Sequence, residues 1–308
     1  MKVLVLGAGA VGGYFGGRLA EKGGDVTFLV RERRRGELQE RGLVIHSVNG
    51  DVTLTPKLIT SGEAVESYDV ILLTMKAYHY EEAVASIRPY VGEETMIIPL
   101  LNGIAHLPKL QETFGVERVL GGLCFIESTL NEHGEIVHTS KAHRLAYGEW
   151  KGGKTERIKA LEELFAGANA VYDSSENIQR EMWHKYLFIT TLSGMTTLMQ
   201  SSVGPIRDSQ YGQSLTRQLL EEAAAVMRAH GAPIDADIEE SHFQVFQQQG
   251  YKMKSSMLRD MEKGLDIEAD HLQGYLLKLA EQYQVQTPLL QVIYNNLKVY
   301  EMKRAAQE

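Results

Sequence analysis

The sequence predicts an α/β protein in two parts, a doubly wound parallel sheet followed by an all-helical domain. Three observations predict it. Four uninterrupted apolar runs of strand length alternate with helix-like stretches in the first third of the chain, as buried parallel strands do. A G-x-G-x-x-G pattern directly follows the first run. Beyond about residue 174, helical periodicity dominates.

The four runs are KVLVLG, VTFLV, DVILLTM and TMIIPLL. Between the second and third, LVIHSVNGDVTLTP holds two alternating runs joined by Asn49-Gly50, a strong short hairpin signal. VLGGLCFIEST, GEIVHTS and HRLAYGEW then read as an antiparallel meander completing the sheet. In VYDSSENIQREMWHKY the style changes, with Asp173 and Glu176 spaced as in a capping box. The boundary is therefore expected near Ser174, giving domains 1–174 and 175–308. Helices are expected at 175–200, 206–230, 236–249, 256–283 (broken around Gly264 to Glu268) and 287–304.

Totals narrow the class. A chain of 308 residues suits two domains, and 44% hydrophobic with 23% charged residues is ordinary for a soluble protein. A net charge of −8 argues against general nucleic-acid binding. The single Cys124 cannot form an internal disulfide, which fits a reducing cytoplasm. No apolar run approaches the roughly 18 residues needed to span a bilayer, and the opening strand and glycine turn do not read as a signal peptide. Neither HExxH nor paired CxxC occurs, so the ten histidines give no metal signal.

Gly7, Gly9 and Gly12 form the glycine pattern at the mouth of a helix, with Ala10 and Val11 inside it. In such a turn one glycine makes the bend, one lets a pyrophosphate approach the backbone, and one packs helix on strand. The exposed N–H groups of the helix end attract the phosphate charge. Gly13, Gly16 and Gly17 are better explained as helix packing.

The second strand ends at Val30, where a carboxylate would bind the ribose hydroxyls of NAD. Arg31 stands there instead. A guanidinium pairs in bidentate fashion with a 2′-phosphate that a carboxylate would repel, so the expected cofactor is NADP(H). Arg34 and Arg35 read as the solvated start of a helix. Lys76 and Asn102 each follow a strand, at the edge where ligands of doubly wound sheets bind. A hydride accepted by a carbonyl creates alkoxide charge, so a proton donor is needed. Lys185 sits in an apolar helix among Trp183, Tyr186, Leu187 and Phe188. It requires a partner or an opening, such as a cleft between domains; the alternative is a lysine snorkelling from a buried helix. Glu268 precedes an amphipathic helix and on its own reads as a helix-entry carboxylate.

These residues together resemble the ketopantoate reductases (2-dehydropantoate 2-reductases), NADPH-dependent enzymes of pantothenate synthesis. The matching pieces are GAGAVGGYFGGRLA, the arginine of FLVR, TMKAY, LLNGI, EMWHKYLFI and SSMLRDMEKGLDIEADHLQGY. They run from Met1 to beyond Gly274 and cover nearly the whole chain. The resemblance implies a Rossmann domain, a helical domain and catalysis in the cleft. It implies Lys185 as the general acid and Glu268 as the group that orients it and binds a substrate hydroxyl, also beside the cofactor. It implies Asn102 against the nicotinamide ribose and substrate, Ser256 on the substrate carboxylate, and Lys76 near the cofactor.

The chain departs from the family where asparagines often stand four and eight residues after the lysine and three before the serine. Here those places hold Ile189, Ser193 and Met253. Ser193 remains a candidate substrate contact. Lost hydrogen-bonding groups weaken recognition of a hydroxylated substrate, so a plain branched or aromatic 2-oxo acid stays open beside 2-dehydropantoate. A non-catalytic NADP(H)-binding redox sensor also stays open, although it would need neither Lys185 nor Glu268. The expected partner is a small-molecule 2-oxo acid, with no nucleic acid and no membrane, and a homodimer is left open.

Overall fold

Short β-branched runs, buried on both faces, build the parallel sheet in the computed structural model, which describes residues 1–63 and 66–306. In chain order they are β1 (Lys2–Leu6), α1 (Ala10–Glu21), β2 (Asp25–Leu29), α2 (Glu32–Arg41), β3 (Leu43–Ser47), β4 (Val52–Leu54), β5 (Lys57–Ile59), β6 (Tyr68–Leu73), α3 (Tyr80–Ile87) and β7 (Val91–Pro99). Five of the described strands pair in the order β5-β2-β1-β6-β7, all parallel. Val3, Leu4, Val5 and Val70 to Leu73 are fully buried. The expected doubly wound sheet is present, with β5 as an additional strand.

Helix α4 (His106–Phe114) leads to β8 (Gly121–Leu130), β9 (Ile136–Gly148), α5 (Glu156–Phe165) and β10 (Val171–Ser174). Here the expected meander needs correction. GEIVHTS and HRLAYGEW are one strand, β9, and it belongs to a second sheet. One edge of β9 pairs antiparallel with β8. Its other edge pairs first with β3 and then with β10. The Asn49-Gly50 hairpin forms between β3 and β4, with Gly50 at φ 101°.

Helix α1 explains the second layer. A Cβ on Gly16 would lie 2.8 Å from Val5 and Phe28 of the parallel sheet, whereas one on Gly17 would lie 2.7 Å from Ile45 and one on Gly13 2.5 Å from Ile136. The helix is thus gripped between two sheets, and glycine lets both come close. Its fully buried Arg18 donates to Glu21 and to the Gly50 carbonyl, fastening the hairpin.

A first compact unit comprises Met1–Leu101 with His106–Gln179, and a second comprises Asn102–Ala105 with the chain from Arg180 on. The helices from here are α6 (Ile178–Met199), α7 (Val203–Asp208), α8 (Gly212–Ala229), α9 (Ile238–Gln248), α10 (Ser256–Glu262), a π-turn (Asp270–Gly274), α11 (Tyr275–Gln282) and α12 (Pro288–Ala305). The helix expected over 206–230 is broken between Asp208 and Gly212, in a bend so tight that a Cβ at residue 212 would lie 1.6 Å from the Ile206 carbonyl oxygen. Helix α6 buries TTLSGMTT. Its hydroxyls at Thr191, Ser193, Thr196 and Thr197 each donate to the carbonyl four residues back, so these four enter the core satisfied, whereas the buried Thr190 hydroxyl has no partner among the described residues. Among the described residues no helix is long and apolar enough to cross a membrane.

Candidate functional site

The glycine turn follows β1. Gly7 has φ +90°, which favours glycine. A Cβ on Gly12 would lie 2.3 Å from the Gly7 carbonyl oxygen and 2.2 Å from Thr74 Oγ1, so this position is closed to any other residue. Gly9 differs: a Cβ there would meet nothing within 4 Å. Gly9 is also the N-cap of α1, without a side-chain cap and without an acid in the first turn. Ala10 and Val11 open that turn. Open space therefore lies over uncapped helix N–H groups, as a pyrophosphate requires. Thr74, at the end of β6, donates to the Leu6 carbonyl at 2.7 Å and braces the turn from behind.

Arg31 lies two residues past the end of β2 and is the N-cap residue of α2, without a side-chain cap bond. Its exposed guanidinium grips Glu82 of α3, with Nε to Oε1 at 3.2 Å and Nη2 to Oε2 at 2.6 Å. The reading of Arg34 and Arg35 as solvated is corrected. Arg34 is 18% exposed and donates to the Ala8 carbonyl at 3.0 Å and the Gly134 carbonyl at 2.8 Å. Arg35 pairs with Glu63. The helix axis turns these two inward, a direction that strand-to-helix composition alone does not reveal. Beside the turn lies a cavity of about 400 Å³ lined by Leu6, Leu29, Val30, Arg31, Met75 and Glu82 among others. Half-buried Lys76 precedes the 3₁₀ turn Ala77–His79 and follows β6, which β1 separates from the β2 strand that leads to Arg31.

In the second unit, half-buried Lys185 shares a face of α6 with Ile189 and Ser193, four and eight residues on. Ser193 is 3% exposed, donates to the Ile189 carbonyl at 2.6 Å and accepts from Gln273 Nε2 at 2.7 Å. Glu268 is 7% exposed and its carbonyl accepts from Leu272 N at 3.0 Å, entering the π-turn. Asn102 is tied to the same turn, since its carbonyl lies 2.8 Å from His271 Nε2. A Cβ on neighbouring Gly103 would lie 2.9 Å from Leu272. Ser255 caps α10 and shares a hydrogen bond with Thr196 at 2.7 Å, whereas Ser256 is exposed on the first turn.

Two family profiles match, ketopantoate reductase PanE/ApbA over residues 3–152 and its C-terminal counterpart over residues 177–301. The chain belongs to the ketopantoate reductase family. A Bacillus subtilis relative, the uncharacterized oxidoreductase YkpB, is 47% identical over 99% of this chain and 100% of its own. The 2-dehydropantoate 2-reductase of Pyrococcus horikoshii is 28% identical, covering 94% of each chain. The crystal structure of 2-dehydropantoate 2-reductase from Methylococcus capsulatus superposes with a TM-score of 0.88 at 29% identity, covering 99% of this chain and 98% of that one. The chain is an oxidoreductase of this family.

Sequence reasoning about this ketopantoate reductase relative missed Thr74, Glu82, His271 and Gln273. Thr74 lies one residue past a strand end and His271 one turn past Glu268, spacings that could have flagged them. Glu82 could not have been found, because its partner lies 51 residues away. Among the described residues no group of His, Cys, Asp and Glu could hold a metal ion.

Proposed function

We propose that this oxidoreductase reduces a 2-oxo acid to a 2-hydroxy acid with NADPH, 2-dehydropantoate being the first candidate. The open cradle over Gly9, together with a cavity lined by Leu6 and Arg31, carries the reading. That pairing suits a pyrophosphate and a phosphorylated ribose. NADPH, when bound, supplies the hydride. Gly7, Gly9, Ala10, Val11 and Gly12 hold the pyrophosphate, Arg31 the 2′-phosphate, and Lys76 neighbours the cofactor.

The proton comes from Lys185, whose ammonium donates to the carbonyl oxygen as it becomes an alkoxide. Glu268 orients Lys185, takes a substrate hydroxyl and also lies beside the cofactor. Asn102 contacts the nicotinamide ribose and the substrate, and Ser256 contacts the substrate carboxylate. Ser193 is a candidate substrate contact; its hydroxyl is engaged by Gln273 and the Ile189 carbonyl, which favours a role behind the pocket wall.

Half-buried Ile189 and Met253 favour a second reading of the same chemistry. They suit a plain branched or aromatic 2-oxo acid better than a hydroxylated one. NADPH oxidation measured with 2-dehydropantoate, 2-oxoisovalerate and phenylpyruvate separates the two. Turnover of any of the three supports the reaction class, and their order names the substrate. A protein that binds NADPH but oxidises it with none of them would be a sensor, and the proposal would fail.

A further inference from the structure

The cavity beside the glycine turn is lined by a carboxylate, Glu82, as well as by the Arg31 guanidinium. Glu82 lies in the first turn of α3, where the helix dipole favours an anion. It fills the Arg31 fork through both oxygens, at 3.2 and 2.6 Å. His79 Nδ1 lies 3.8 Å from the same carboxylate. Both Arg31 and Glu82 line the cavity, so whatever approaches Arg31 meets Glu82.

The two possible ligands meet this pair differently. A 2′-phosphate must take the Arg31 donors from Glu82 and then lie beside a like charge. A ribose 2′-hydroxyl needs an acceptor, and a carboxylate is the group that serves NAD in folds of this kind. Arg31 is 65% and Glu82 61% exposed, and such solvated pairs yield readily to a stronger anion. Glu82 therefore hinders the phosphate without excluding it.

We infer that Glu82 is a specificity-determining residue: it competes with the 2′-phosphate for Arg31 and accepts from the unphosphorylated ribose, so the site admits NADH as well as NADPH. The inference rests on the cofactor reading above. It makes the arginine a shared element, in which the Arg31–Glu82 pair rather than Arg31 alone sets the preference.

Fluorescence titration of NADPH and NADH against the parent, Glu82→Gln, Glu82→Ala and Arg31→Ala proteins at one ionic strength tests it. Melting curves establish that each variant is folded. Both Glu82 variants should tighten NADPH about tenfold, the scale of removing one like charge from a doubly charged phosphate at this distance. NADH should bind no better to them than to the parent. A preference that changes less than twofold in both Glu82 variants, while Arg31→Ala still weakens NADPH, would overturn the role of Glu82 and leave the cofactor reading intact. If Arg31→Ala also leaves NADPH binding unchanged, the assignment of the ribose end fails and the inference falls with it.

Discussion

The Tyr186 hydroxyl of α6 donates to the Leu272 carbonyl inside the π-turn at 2.5 Å. The bond ties the residue after Lys185 to the turn that begins just past Glu268. Gln273 adds a second tie through its amide to Ser193 Oγ and the Thr190 carbonyl. π-Turns are rare, occur mostly as single turns and are frequent at functional sites. Here side chains from α6 and the Asn102 carbonyl hold one in place.

Tyr186→Phe tests that brace. Burial pushes the phenol well above its usual pKa, so its proton stays in the bond at any working pH. The variant leaves the Leu272 carbonyl buried without this donor, and should lose about 1–3 kcal/mol of stability. If the brace positions Glu268, kcat should also fall, by roughly tenfold or less, with NADPH affinity unchanged. Urea unfolding and steady-state rates check both, and a variant unchanged in both would show the brace idle.

Arg34→Ala should behave unlike Arg31→Ala. Arg34 holds the Ala8 carbonyl of the glycine turn and the Gly134 carbonyl of the β8–β9 connection. Hydrogen bonds from a charged donor contribute about 1.5–3 kcal/mol each, so the variant should be less stable by about 2 kcal/mol or more. It should weaken NADPH and NADH by the same factor, because the turn serves the pyrophosphate common to both. Arg31→Ala should weaken NADPH alone. Titrations of both cofactors against both variants decide it; a selective loss in Arg34→Ala would move the 2′-phosphate to Arg34.

Much of this was legible, and the failures have physical causes. Uninterrupted apolar runs of strand length marked the strands of the parallel sheet, and helical periodicity marked the helices beyond residue 174. Strand ends marked Arg31, Lys76 and Asn102. What periodicity cannot report is direction around a helix that starts with consecutive arginines, so Arg34 and Arg35 read as solvated although Ala8, Gly134 and Glu63 engage them. Nor does alternation say which sheet a strand joins. β9 left the parallel sheet because α1 offers a second glycine-lined face at Gly13 and Gly17. The break before Gly212 was visible only as a glycine, while the bend that brings it against the Ile206 carbonyl is a matter of backbone geometry. Glu82 matters only through a contact that chain order hides.

Histidine 242 supplies a pH prediction. Burial lowers the His242 pKa from 6.5 to about 4, with His184 lowering it further and Asp235 and Glu239 opposing. Folded His242 is thus neutral where the unfolded chain is already protonated. Its contribution is present above pH 6.5 and is lost as pH falls toward 4. Across that window it should reduce stability by at most about 1.4 kcal/mol per pH unit. Parent and His242→Leu proteins unfolded in urea at pH 7.5 and 5.0 should diverge, the variant losing less on acidification. Equal losses would mean that His242 takes up its proton over the same pH range in the folded protein as in the unfolded chain.

Lys185 exposes the proposed mechanism most directly. If its ammonium protonates the developing alkoxide, its effect belongs to the transition state rather than to ground-state binding. Lys185→Met keeps most of the aliphatic stem in α6 and removes the proton donor. kcat should fall by roughly 10²-fold or more, the scale for losing a general acid. NADPH affinity, assigned to the glycine turn and Arg31 in the first unit, should change less than twofold. A lysine that only supports the helix predicts the opposite pattern, a lower Tm with little loss of rate in the folded fraction. Single-turnover rates on material shown to be folded separate these outcomes without assuming that KM reports binding. A folded Lys185→Met protein retaining more than half the parent kcat would end the general-acid assignment.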